Sequence, residues 1–462
     1  MTDSVAKTSQ LDFNLRTVMA PKYKYVRIPM NNHASASVSI RPTTTELLEW
    51  KLPTQVYNLS RSYISYSLEF PAVVSEYTQT FEDTFDIAQS ATFGSAGGID
   101  IVNIQHLQNY VKIARKIATP IDDFLGNDNM SQLYSCNSIG SGNPLPFKYD
   151  GTNNATKDGY LDTKYISTTL RADGTKDPAG ATGAVSYAHR QFPLGGIPGT
   201  LFAVDRDFYS PVEQYLRITA GIGNKIAYTT LKTNEAKPDA GSTAVPDFKI
   251  NQCYLYLAIE ENLAVSAYIR GLYHSGQLTY RIPYTTGFKN TGAQAAGDTT
   301  NIQIQISQQY GKRLKRILHT VWNSTEELNT AYDCANWNGS KIESYQTFLD
   351  SLPLQDRILS CKRPAGNNIG SDDWAENKKF LDKRSCITSK EMYAYNWFHI
   401  DQWYEPRELN SLPDVNRDDG LVMDTPKSWT ISTKSGAAGL VHYTWVEFSR
   451  DIEVTVAGPQ FK

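Results

Sequence analysis

The sequence predicts an all-β protein with a few short helices, built from two tandem antiparallel sandwiches. Three observations support this prediction. The chain has 462 residues, which exceeds the roughly 250–300 residues at which a single hydrophobic core stops growing. Short segments of alternating apolar and polar residues, typical of half-buried strands, recur along it between turn residues. The regular alternation of strand and helix that marks a parallel doubly wound sheet is missing from the pattern.

Composition is consistent with an all-β protein, and the charge balance gives no indication of nucleic-acid binding. Tyrosine (28) exceeds phenylalanine (17), and tyrosine suits both pleated, half-buried surfaces and contact surfaces. The 45 basic and 48 acidic residues give a net charge of −3, which provides no overall attraction for a polyanion.

Cysteine usage and the N-terminal sequence indicate where the protein is made. The five cysteines are widely spaced, without a Cys-x-x-Cys pair, which predicts reduced thiols in an intracellular product. The first residues contain no apolar segment of signal-peptide length, and no segment approaches the roughly 20 residues that cross a bilayer. We therefore expect synthesis in the cytoplasm, with no secretion and no transmembrane segment.

The first half of the sequence predicts an arm followed by a strand-rich domain. Residues 1–23 are polar and aperiodic, which predicts a flexible N-terminal arm, and residues 24–262 form the first predicted domain. Alternation predicts strands at Val26–Met30, Leu48–Leu52, Ile64–Phe70 and Cys253–Ile259. A 3-4-3 spacing from Ile104 to Ala114 predicts a helix that ends before Pro120. Residues 126–195, rich in Gly, Asn, Asp and Ser, predict a long surface loop, and Ser210 with Glu213 predicts a short helical turn.

The second half repeats this order after a connecting segment. Residues 263–275 have helical character and end at Ser275-Gly276, so they are predicted to connect the domains, and residues 276–462 form the second domain. Alternation predicts strands around Tyr280–Ile282, Ile302–Ile306, Arg316–Trp322, Trp429–Ile431, His442–Phe448 and Ile452–Val456. Ser340 and Glu343 form a capping-box pattern that predicts a helix containing Ile342, Tyr345 and Leu349.

No catalytic, cofactor-binding or metal-binding residues are predicted, because no phosphate loop, dinucleotide fingerprint, HExxH or nucleophile elbow occurs in the sequence. His399 and Asp401 are the best candidate pair for metal or acid–base chemistry, although a hydrogen-bonded packing role is favoured. For the adjacent carboxylates Asp372-Asp373 and Asp122-Asp123, helix capping or solvation is favoured over chemistry. The protein is therefore not expected to be an enzyme.

A basic cluster of four residues is the one candidate contact site, and it consists of Lys312, Arg313, Lys315 and Arg316. Four interpretations stay open at this stage. The cluster could form a solvated rim or an intersubunit salt-bridge patch, or it could face a phosphate backbone or an anionic membrane. We expect it at an inner face or between assembled units.

Three parts of the sequence resemble a known family. LEWKLPTQVYNLSRSYISYSLEF lies near the start, GTLFAVDRDFYSPVEQYLRI lies before the connecting segment, and GKRLKRILHTVWN, YNWFHID and HYTWVEFSRDIEVTVAGPQ lie in the second half. These resemble the double jelly-roll major capsid proteins of eukaryotic double-stranded DNA viruses, the group that includes polinton-like viruses, virophages and relatives of the nucleocytoplasmic large DNA viruses. The resemblance implies two eight-stranded jelly rolls, a trimer of pseudo-hexagonal outline and many copies tiling an icosahedral shell. It carries over no catalytic residues, since the family has none.

The resemblance also implies partners and a location. The chain would contact itself as a homotrimer, then neighbouring capsomers, penton and minor or cement capsid proteins, and an internal membrane or genome on its inner face. No small-molecule substrate and no cofactor is expected, and the location is the virion. Two alternatives remain open: a vertex or spike protein of the same virus, and a jelly-roll carbohydrate-binding or glycan-processing protein.

Overall fold

The fold is taken from a computed structural model of the chain. The structure describes residues 21–33, 36–41, 43–70, 76–80, 84–96, 98–118, 186–223, 227–231, 247–292, 295–323, 342–361, 372–380, 397–403 and 420–461. Residues 1–20 of the predicted arm, residues 126–185 of the predicted 126–195 loop and Asp122-Asp123 lie outside these residues. Tyr23 begins a strand and Ser186–Pro193 forms another, so the end of the predicted arm and the end of the predicted loop are wrong.

The first half contains twelve strands and one α-helix among the described residues. The strands are β1 (Tyr23–Pro29), β2 (Val38–Ile40), β3 (Glu46–Leu52), β4 (Tyr57–Phe70), β5 (Glu76–Thr80), β6 (Ala88–Ser95), β7 (Asp100–Gln105), β8 (Ser186–Pro193), β9 (Asp207–Phe208), β10 (Gln214–Ala220), β11 (Ala227–Leu231) and β12 (Phe248–Glu260). Helix α1 spans Leu107–Ala118, and 3-10 turns occupy Thr84–Ile87, Leu194–Gly196 and Leu201–Ala203.

The second half follows helix α2 (Leu263–His274). Its strands are β13 (Thr279–Thr291), β14 (Thr299–Ile306), β15 (Arg313–Asn323), β16 (Ile342–Leu349), β17 (Leu352–Pro353), β18 (Leu359–Ser360), β19 (Phe398–Gln402), β20 (Leu421–Val422), β21 (Lys427–Ser435), β22 (Leu440–Thr455) and β23 (Gly458–Phe461). Helix α3 spans Asp372–Lys378, and a 3-10 turn covers Gln308–Tyr310.

Both halves have the same strand topology. In the first, one sheet runs β1-β12-β4-β8 and the other β3-β10-β6-β7, while β5 and β11 form a separate ribbon. In the second, the sheets run β13-β22-β15-β19 and β14-β21-β16-β17, with β18 also paired to β16. When the eight principal strands of each half are counted in chain order, both halves read 1-8-3-6 and 2-7-4-5, and all pairings are antiparallel. This arrangement is an eight-stranded jelly roll, and it occurs twice in the chain.

The predicted alternation places apolar side chains between the sheets. Leu48, Trp50 and Leu52 on β3 are at most 2% exposed, and their neighbours Glu49 and Lys51 point outwards. Helix α1 forms as predicted from Leu107 onwards, although Ile104, where the predicted spacing starts, lies on β7. The helix buries Leu107, Val111, Ile113 and Ala114, and its Tyr110 ring lies 5.6 Å from the Trp445 ring of the second half. Helix α2 also forms as predicted, and the Asn262 side chain caps it by accepting a hydrogen bond from the Ala264 amide at 3.0 Å.

The pairing of strands never crosses from one half to the other within the described residues, and helix α2 lies between the last strand of the first set and the first strand of the second. The predicted domain limits (24–262, 263–275 and 276–462) stay predictions.

Two predicted helical segments are wrong. The segment Ile342–Leu349 is strand β16 and not a capped helix. A β-bulge between Ile342 and Ser344 places Ile342 and Tyr345 on one buried face, so the spacing of three residues imitated a helical period. The predicted turn of helix at Ser210 is a bend in which Ser210 Oγ accepts from the Val212 amide at 3.2 Å and donates to the Val212 carbonyl at 2.8 Å. Strand β10 begins only two residues later, so no helix can start there.

Strand register defines two opposite ends of the first half. At one, called here the arm end, Tyr23 pairs with Glu260, and Tyr57 pairs with Ile259. At the other, called here the loop end, Ser186 pairs with Phe70. Strand β4 joins these ends and has 14 residues, a length of roughly 45 Å at the usual rise of a strand. The chain that precedes Tyr23 and the chain that precedes Ser186 therefore meet the fold at opposite ends.

Candidate functional site

The four basic residues of the predicted cluster do not share one surface. The Lys312 side chain is 60% exposed and lies 3.5 Å from an Asp451 carboxylate oxygen. Arg313 is partly exposed, and its Nη1 donates to the Gly420 carbonyl at 3.4 Å. Lys315 and Arg316, in contrast, are each only 1% exposed. The expectation of a four-residue surface cluster is therefore wrong for Lys315 and Arg316, and only Lys312 and Arg313 are available for an external contact.

A β-bulge explains this division. The β15–β22 register shifts between Leu314 and Arg316, so consecutive residues no longer alternate between solvent and core. Arg316 pairs in register with Glu447, and its Nε and Nη2 atoms lie 3.1 and 2.8 Å from the Glu447 Oε2 atom. Both side chains are almost fully buried, at 2% and 3% exposed. Arg316 thus belongs to an internal ion pair.

This ion pair lies where the first half covers the second. Tyr110 of helix α1 is close enough that Glu447 raises and Arg316 lowers its pKa, although burial is the largest cause of the net increase. The Tyr110 hydroxyl donates to the Pro198 carbonyl at 3.0 Å. The Arg316–Glu447 ion pair of the second half is therefore buried at the contact between the two jelly rolls.

Lys312 and Arg313 lie at the arm end of the molecule. Lys312 contacts Asp451, which also forms an ion pair with Arg281 at 2.9 Å. The neighbouring Tyr280 accepts a hydrogen bond from the Tyr209 amide at 3.0 Å. Tyr209 directly follows Phe208, which pairs with Tyr57 at the arm end of β4. The two exposed basic residues are thus on the same end as the start of β1.

The candidate pair His399 and Asp401 is part of a buried network. The Tyr345 hydroxyl lies 2.9 Å from His399 Nδ1, and His399 Nε2 lies 3.1 Å from Asp401 Oδ1. Trp429 Nε1 donates to Asp401 Oδ2 at 2.8 Å. His399 is 0% exposed and Asp401 is 6% exposed. Because protein donors surround the carboxylate and solvent barely reaches it, the arrangement supports the packing role and leaves no open position for a substrate.

Two further buried histidines were missed by sequence analysis. His319 Nε2 lies 3.1 Å from His442 Nδ1, and His319 Nδ1 lies 2.8 Å from Thr444 Oγ1. Burial lowers the pKa of His319, and it lowers the pKa of His442 to about 4. The two residues are 123 positions apart, so sequence spacing gave no sign of the pair. The alternation of His442, Thr444, Val446 and Phe448 was a partial signal, because it placed a histidine on an apolar face.

The remaining candidates have structural roles. Asp372 and Asp373 lie in the first turn of helix α3, where negative charge favours the helix. Asp372 also accepts from Arg357 at 3.0 Å. Cys253 and Cys361 are free and buried. Across the described ranges, no group of three or more His, Cys, Asp or Glu side chains is arranged as metal ligands.

No helix in the described part of the chain is both long and apolar enough to span a membrane.

Comparison with known proteins gives matches at the level of structure. No protein-family model matches the sequence, and no curated protein matches it. A chain in the cryo-EM structure of the Sputnik virophage is similar with a TM-score of 0.55 at 11% identity, covering 96% of this chain and 88% of that one. The Faustovirus major capsid protein has a TM-score of 0.47 at 8% identity, covering 94% of this chain and 91% of that one. The mavirus major capsid protein has a TM-score of 0.43 at 10% identity, covering 92% and 90%.

At these identities the similarities show the fold alone, and of these three chains the Sputnik chain has the TM-score above 0.5. That similarity extends over both jelly rolls and agrees with the identical strand order of the two halves. The chain therefore has the double jelly-roll fold.

Proposed function

We propose that this chain is the major capsid protein of a double-stranded DNA virus, which trimerises into pseudo-hexameric capsomers that tile an icosahedral shell. The observation that carries the proposal is the tandem repeat of one topology, 1-8-3-6 and 2-7-4-5, in a fold shared with a virophage chain. Two similar sandwiches in each of three chains give a near-sixfold outline with closed symmetry. A shape of this kind can tile a surface without chemistry at a site, so we propose a structural role and not a catalytic one.

The two ends of the molecule support a direction for the shell. The start of β1 and the exposed Lys312 and Arg313 share the arm end, whereas Ser186, which follows residues 119–185, lies at the loop end. We propose that the arm end faces the interior, where a polar arm and cationic side chains meet minor capsid proteins, an internal membrane or the genome. The loop end would then face outwards. On this proposal the protein is made in the host cytoplasm and resides in the virion.

The oligomeric state tests the central claim. Mass measurement of the purified protein in solution should give three times 51.7 kDa as the stable species. A stable monomer at micromolar concentration in every salt condition would contradict the proposal. Fivefold particles in electron micrographs would favour the vertex-protein alternative instead.

Deletion of residues 1–20 tests the inward-facing arm, because Lys22 and Tyr23 already contact Glu260 and belong to the fold. The trimer yield should be unchanged and the yield of assembled particles should fall, because a segment that orders only against a partner contributes to assembly and not to folding. If both yields fall together, the arm belongs to the fold; if neither falls, it has no assembly role.

Neutralising Lys312 and Arg313 tests whether the basic residues at the arm end contact a partner. Lys312→Gln with Arg313→Gln should weaken the salt dependence of capsomer association or of internal-partner binding. Lys51→Gln is the matched control, because Lys51 forms an exposed ion pair with Glu213 outside the predicted cluster. An equal change in the control would contradict a specific role for Lys312 and Arg313.

A loop deletion tests the outward-facing end. Removal of residues 140–184 should leave folding and trimer formation intact, and limited proteolysis of the full chain should cut within this span first. Insoluble protein after the deletion, together with protection of the span in assembled shells, would contradict this placement.

A further inference from the structure

Strands β3 and β19 are the terminal strands of their sheets. Among the described residues, β3 pairs only with β10, and β19 pairs only with β15. A terminal strand has backbone amides and carbonyls along its outer edge, and these groups can pair with a strand of another chain. Such edges promote aggregation unless something covers them, so the groups that contact these two edges matter for how copies of the chain associate.

At β3, the side chain of Asn32 occupies the outer edge. Its Nδ2 donates to the Leu47 carbonyl at 2.6 Å, and its Oδ1 accepts from the Glu49 amide at 3.2 Å. The two neighbouring residues contact the same stretch. The Asn31 amide donates to the Glu49 carbonyl at 2.7 Å, and His33 Nε2 lies 3.0 Å from the Leu47 carbonyl oxygen. Three backbone groups in the middle of β3 are thus occupied by this short segment.

At β19, the side chain of Asn377 on helix α3 makes the same pair of contacts. Its Nδ2 donates to the Phe398 carbonyl at 3.1 Å, and its Oδ1 accepts from the Ile400 amide at 2.8 Å. The Nδ2 group also donates to the Asp373 carbonyl at 2.9 Å, one helical turn earlier, which fixes the orientation of the side chain. Asn377 is 0% exposed. Helix α3 therefore covers the edge of β19 through one side-chain amide.

The pattern of bonded atoms is the same at both edges. In each, one asparagine side chain binds the carbonyl of one strand residue and the amide of the residue two positions later. A side-chain amide carries the same kinds of donor and acceptor as a peptide bond. It therefore reproduces the two hydrogen bonds that one residue of an added parallel strand would form, so an added strand and the asparagine compete for the same atoms.

The position of each contact makes this competition effective. Glu49 is the central residue of the seven in β3, and Ile400 is the central residue of the five in β19. An added strand would have no more than three residues to pair with on either side of the asparagine, which is the lower limit for strands in globular proteins. A single side chain is therefore sufficient to interrupt pairing along the whole edge.

The two edges are not equivalent in the repeated topology. Strand β3 is the second principal strand of the first half, whereas β19 is the sixth principal strand of the second half. Asn32 lies in a connection between strands, and Asn377 lies on a helix. The shared pattern of contacts is therefore not a by-product of the repeated strand order, and it indicates a requirement that both edges have in common.

We propose that Asn32 and Asn377, called here the edge asparagines, prevent the outer edges of β3 and β19 from pairing with extended segments of other copies of this chain. Sheet extension then does not compete with the contacts through which the protein assembles. This role belongs to the folded chain and holds whether or not the stable species is a trimer, so its failure would leave the proposed function untouched.

Opening the edge of β3 tests the proposal in the full-length chain. Asn32→Ala removes both side-chain bonds to the strand backbone, and Asn31→Ala is the matched control, because the exposed Asn31 side chain donates to Glu49 Oε1 at 2.9 Å and not to the backbone. Light scattering at increasing protein concentration measures growth beyond the stable species. We expect growth to be about tenfold faster for Asn32→Ala than for the control, since an incoming strand no longer has to displace the side chain. Equal growth in the two variants would overturn the proposal.

Hydrogen exchange at the Glu49 amide gives an independent measurement. At a concentration at which only the stable species is present, Asn32→Ala should speed exchange of this amide by about tenfold, because its acceptor Asn32 Oδ1 is removed. Asn31→Ala should leave the exchange rate of the same amide unchanged. Unchanged protection in Asn32→Ala would mean that the side chain does not cover the edge, and the proposal would be overturned.

The edge of β19 needs a control for stability, because Asn377 is buried. Asn377→Ala opens this edge, whereas Thr320→Val removes the hydrogen bond from Thr320 Oγ1 to the Trp397 carbonyl at 2.8 Å and leaves the outer edge closed. Thioflavin T binding then reports sheet growth at temperatures that give both variants the same unfolded fraction. We expect growth to be about tenfold faster for Asn377→Ala. Equal growth at equal stability would show that unfolded chains and not open edges associate, which would overturn the proposal for β19. If Asn377→Ala does not fold, the Asn32 and Asn31 variants decide.

Discussion

The two jelly rolls share a topology but differ in what they bury. Among the described residues, the first half buries one acidic, basic or histidine side chain, Glu260. The second half buries nine, namely Lys315, Arg316, His319, Asp373, His399, Asp401, His442, Glu447 and Arg450. The same strand order is thus compatible with a largely apolar set of buried residues in one half. In the other half, stability depends on ion pairing and on the protonation of buried side chains. A charge removed from water is stabilising only while its partners are in place, so the second half should be the more sensitive of the two.

The largest expected effect comes from breaking the Arg316–Glu447 ion pair, which belongs to the second half and is buried where the first half covers it. Arg316→Met leaves the Glu447 carboxylate buried without its partner, which should lower the free energy of unfolding by about 3–5 kcal/mol. Denaturant unfolding followed by tryptophan fluorescence measures this loss. Arg61→Met is the matched control, because Arg61 pairs with Asp205 at 2.7 Å but both side chains are about half exposed (47% and 55%). The control should lose no more than about 1 kcal/mol.

A double variant separates the pair from its packing. Arg316→Met combined with Glu447→Gln removes the uncompensated charge, so it should recover a large part of the stability that Arg316→Met loses. If the double variant is as unstable as the single one, packing volume and not charge explains the loss, and the contrast between the halves loses its electrostatic basis.

Acid should destabilise the second half. Burial holds the pKa of His442 at about 4, below the ordinary value of 6.5, so the folded state binds fewer protons than the unfolded state between these values. This contribution to stability is present above pH 6.5 and is lost as the pH falls towards 4, by about 2 kcal/mol between pH 7 and pH 5. Burial also lowers the pKa of His319, so this residue likewise destabilises the folded state as the pH falls. The charge of His399 also lowers the pKa of His319, and His399 lies 3.1 Å from Asp401.

In the first half, by contrast, one titrating group should stabilise the folded state as the pH falls. Burial, with help from the charges of Glu260 and Asp205, raises the pKa of Asp207 from 3.8 to about 6. The folded state therefore binds more protons than the unfolded state in that window, so this group stabilises increasingly as the pH falls from 6 towards 3.8. Hydrogen exchange at pH 7 and pH 5, corrected for the intrinsic rate, should show protection lost around β15 and β22 and kept around β1 and β12. His442→Gln should flatten the response of β22, and an unchanged response would contradict the assignment.

A further prediction concerns the hydrogen-bond network around Asp401. Asp401→Asn keeps the volume but replaces an acceptor that serves Trp429 Nε1 at 2.8 Å and lies 3.1 Å from His399 Nε2. We expect a loss of about 2 kcal/mol in the free energy of unfolding, because a buried donor loses a charged acceptor. The conservative change Asp424→Asn, at an exposed residue near Lys427, should have an effect within about 0.5 kcal/mol. Equal effects at the two positions would show that the network adds nothing to stability.

Local pattern predicted much of the fold, and its failures share a cause. Strand β3 and helices α1 and α2 follow from the spacing of apolar residues and from caps, which act over a few positions. The bulge at Ile342 defeated the pattern, because an extra residue changes a period of two into an apparent helical spacing. The burial of Arg316 was not predictable, since its partner Glu447 lies 131 positions away and the covering helix belongs to the other half. Charge and polarity alone could not distinguish an internal ion pair from a surface patch.

The smallest expected effect lies in the first half and completes the comparison. Tyr57 is 1% exposed, and its hydroxyl has no hydrogen-bond partner among the residues that the structure describes. The ring itself is well packed, with its centroid 5.8 Å from that of Phe208. Tyr57→Phe keeps this ring and removes an unsatisfied hydroxyl, so the free energy of unfolding should stay within about 0.5 kcal/mol or rise.

The matched change in the second half is Tyr345→Phe, because the Tyr345 hydroxyl lies 2.9 Å from His399 Nδ1. That variant should lose about 1 kcal/mol, since it takes a hydrogen-bond partner from a buried imidazole. Both rings are at most 1% exposed, so the two variants differ mainly in what the hydroxyl contacts. Denaturation of the two variants under identical conditions measures the difference. A loss at Tyr57 equal to that at Tyr345 would mean that the first half also depends on a buried polar contact, and the distinction between an apolar and a polar jelly roll would not hold.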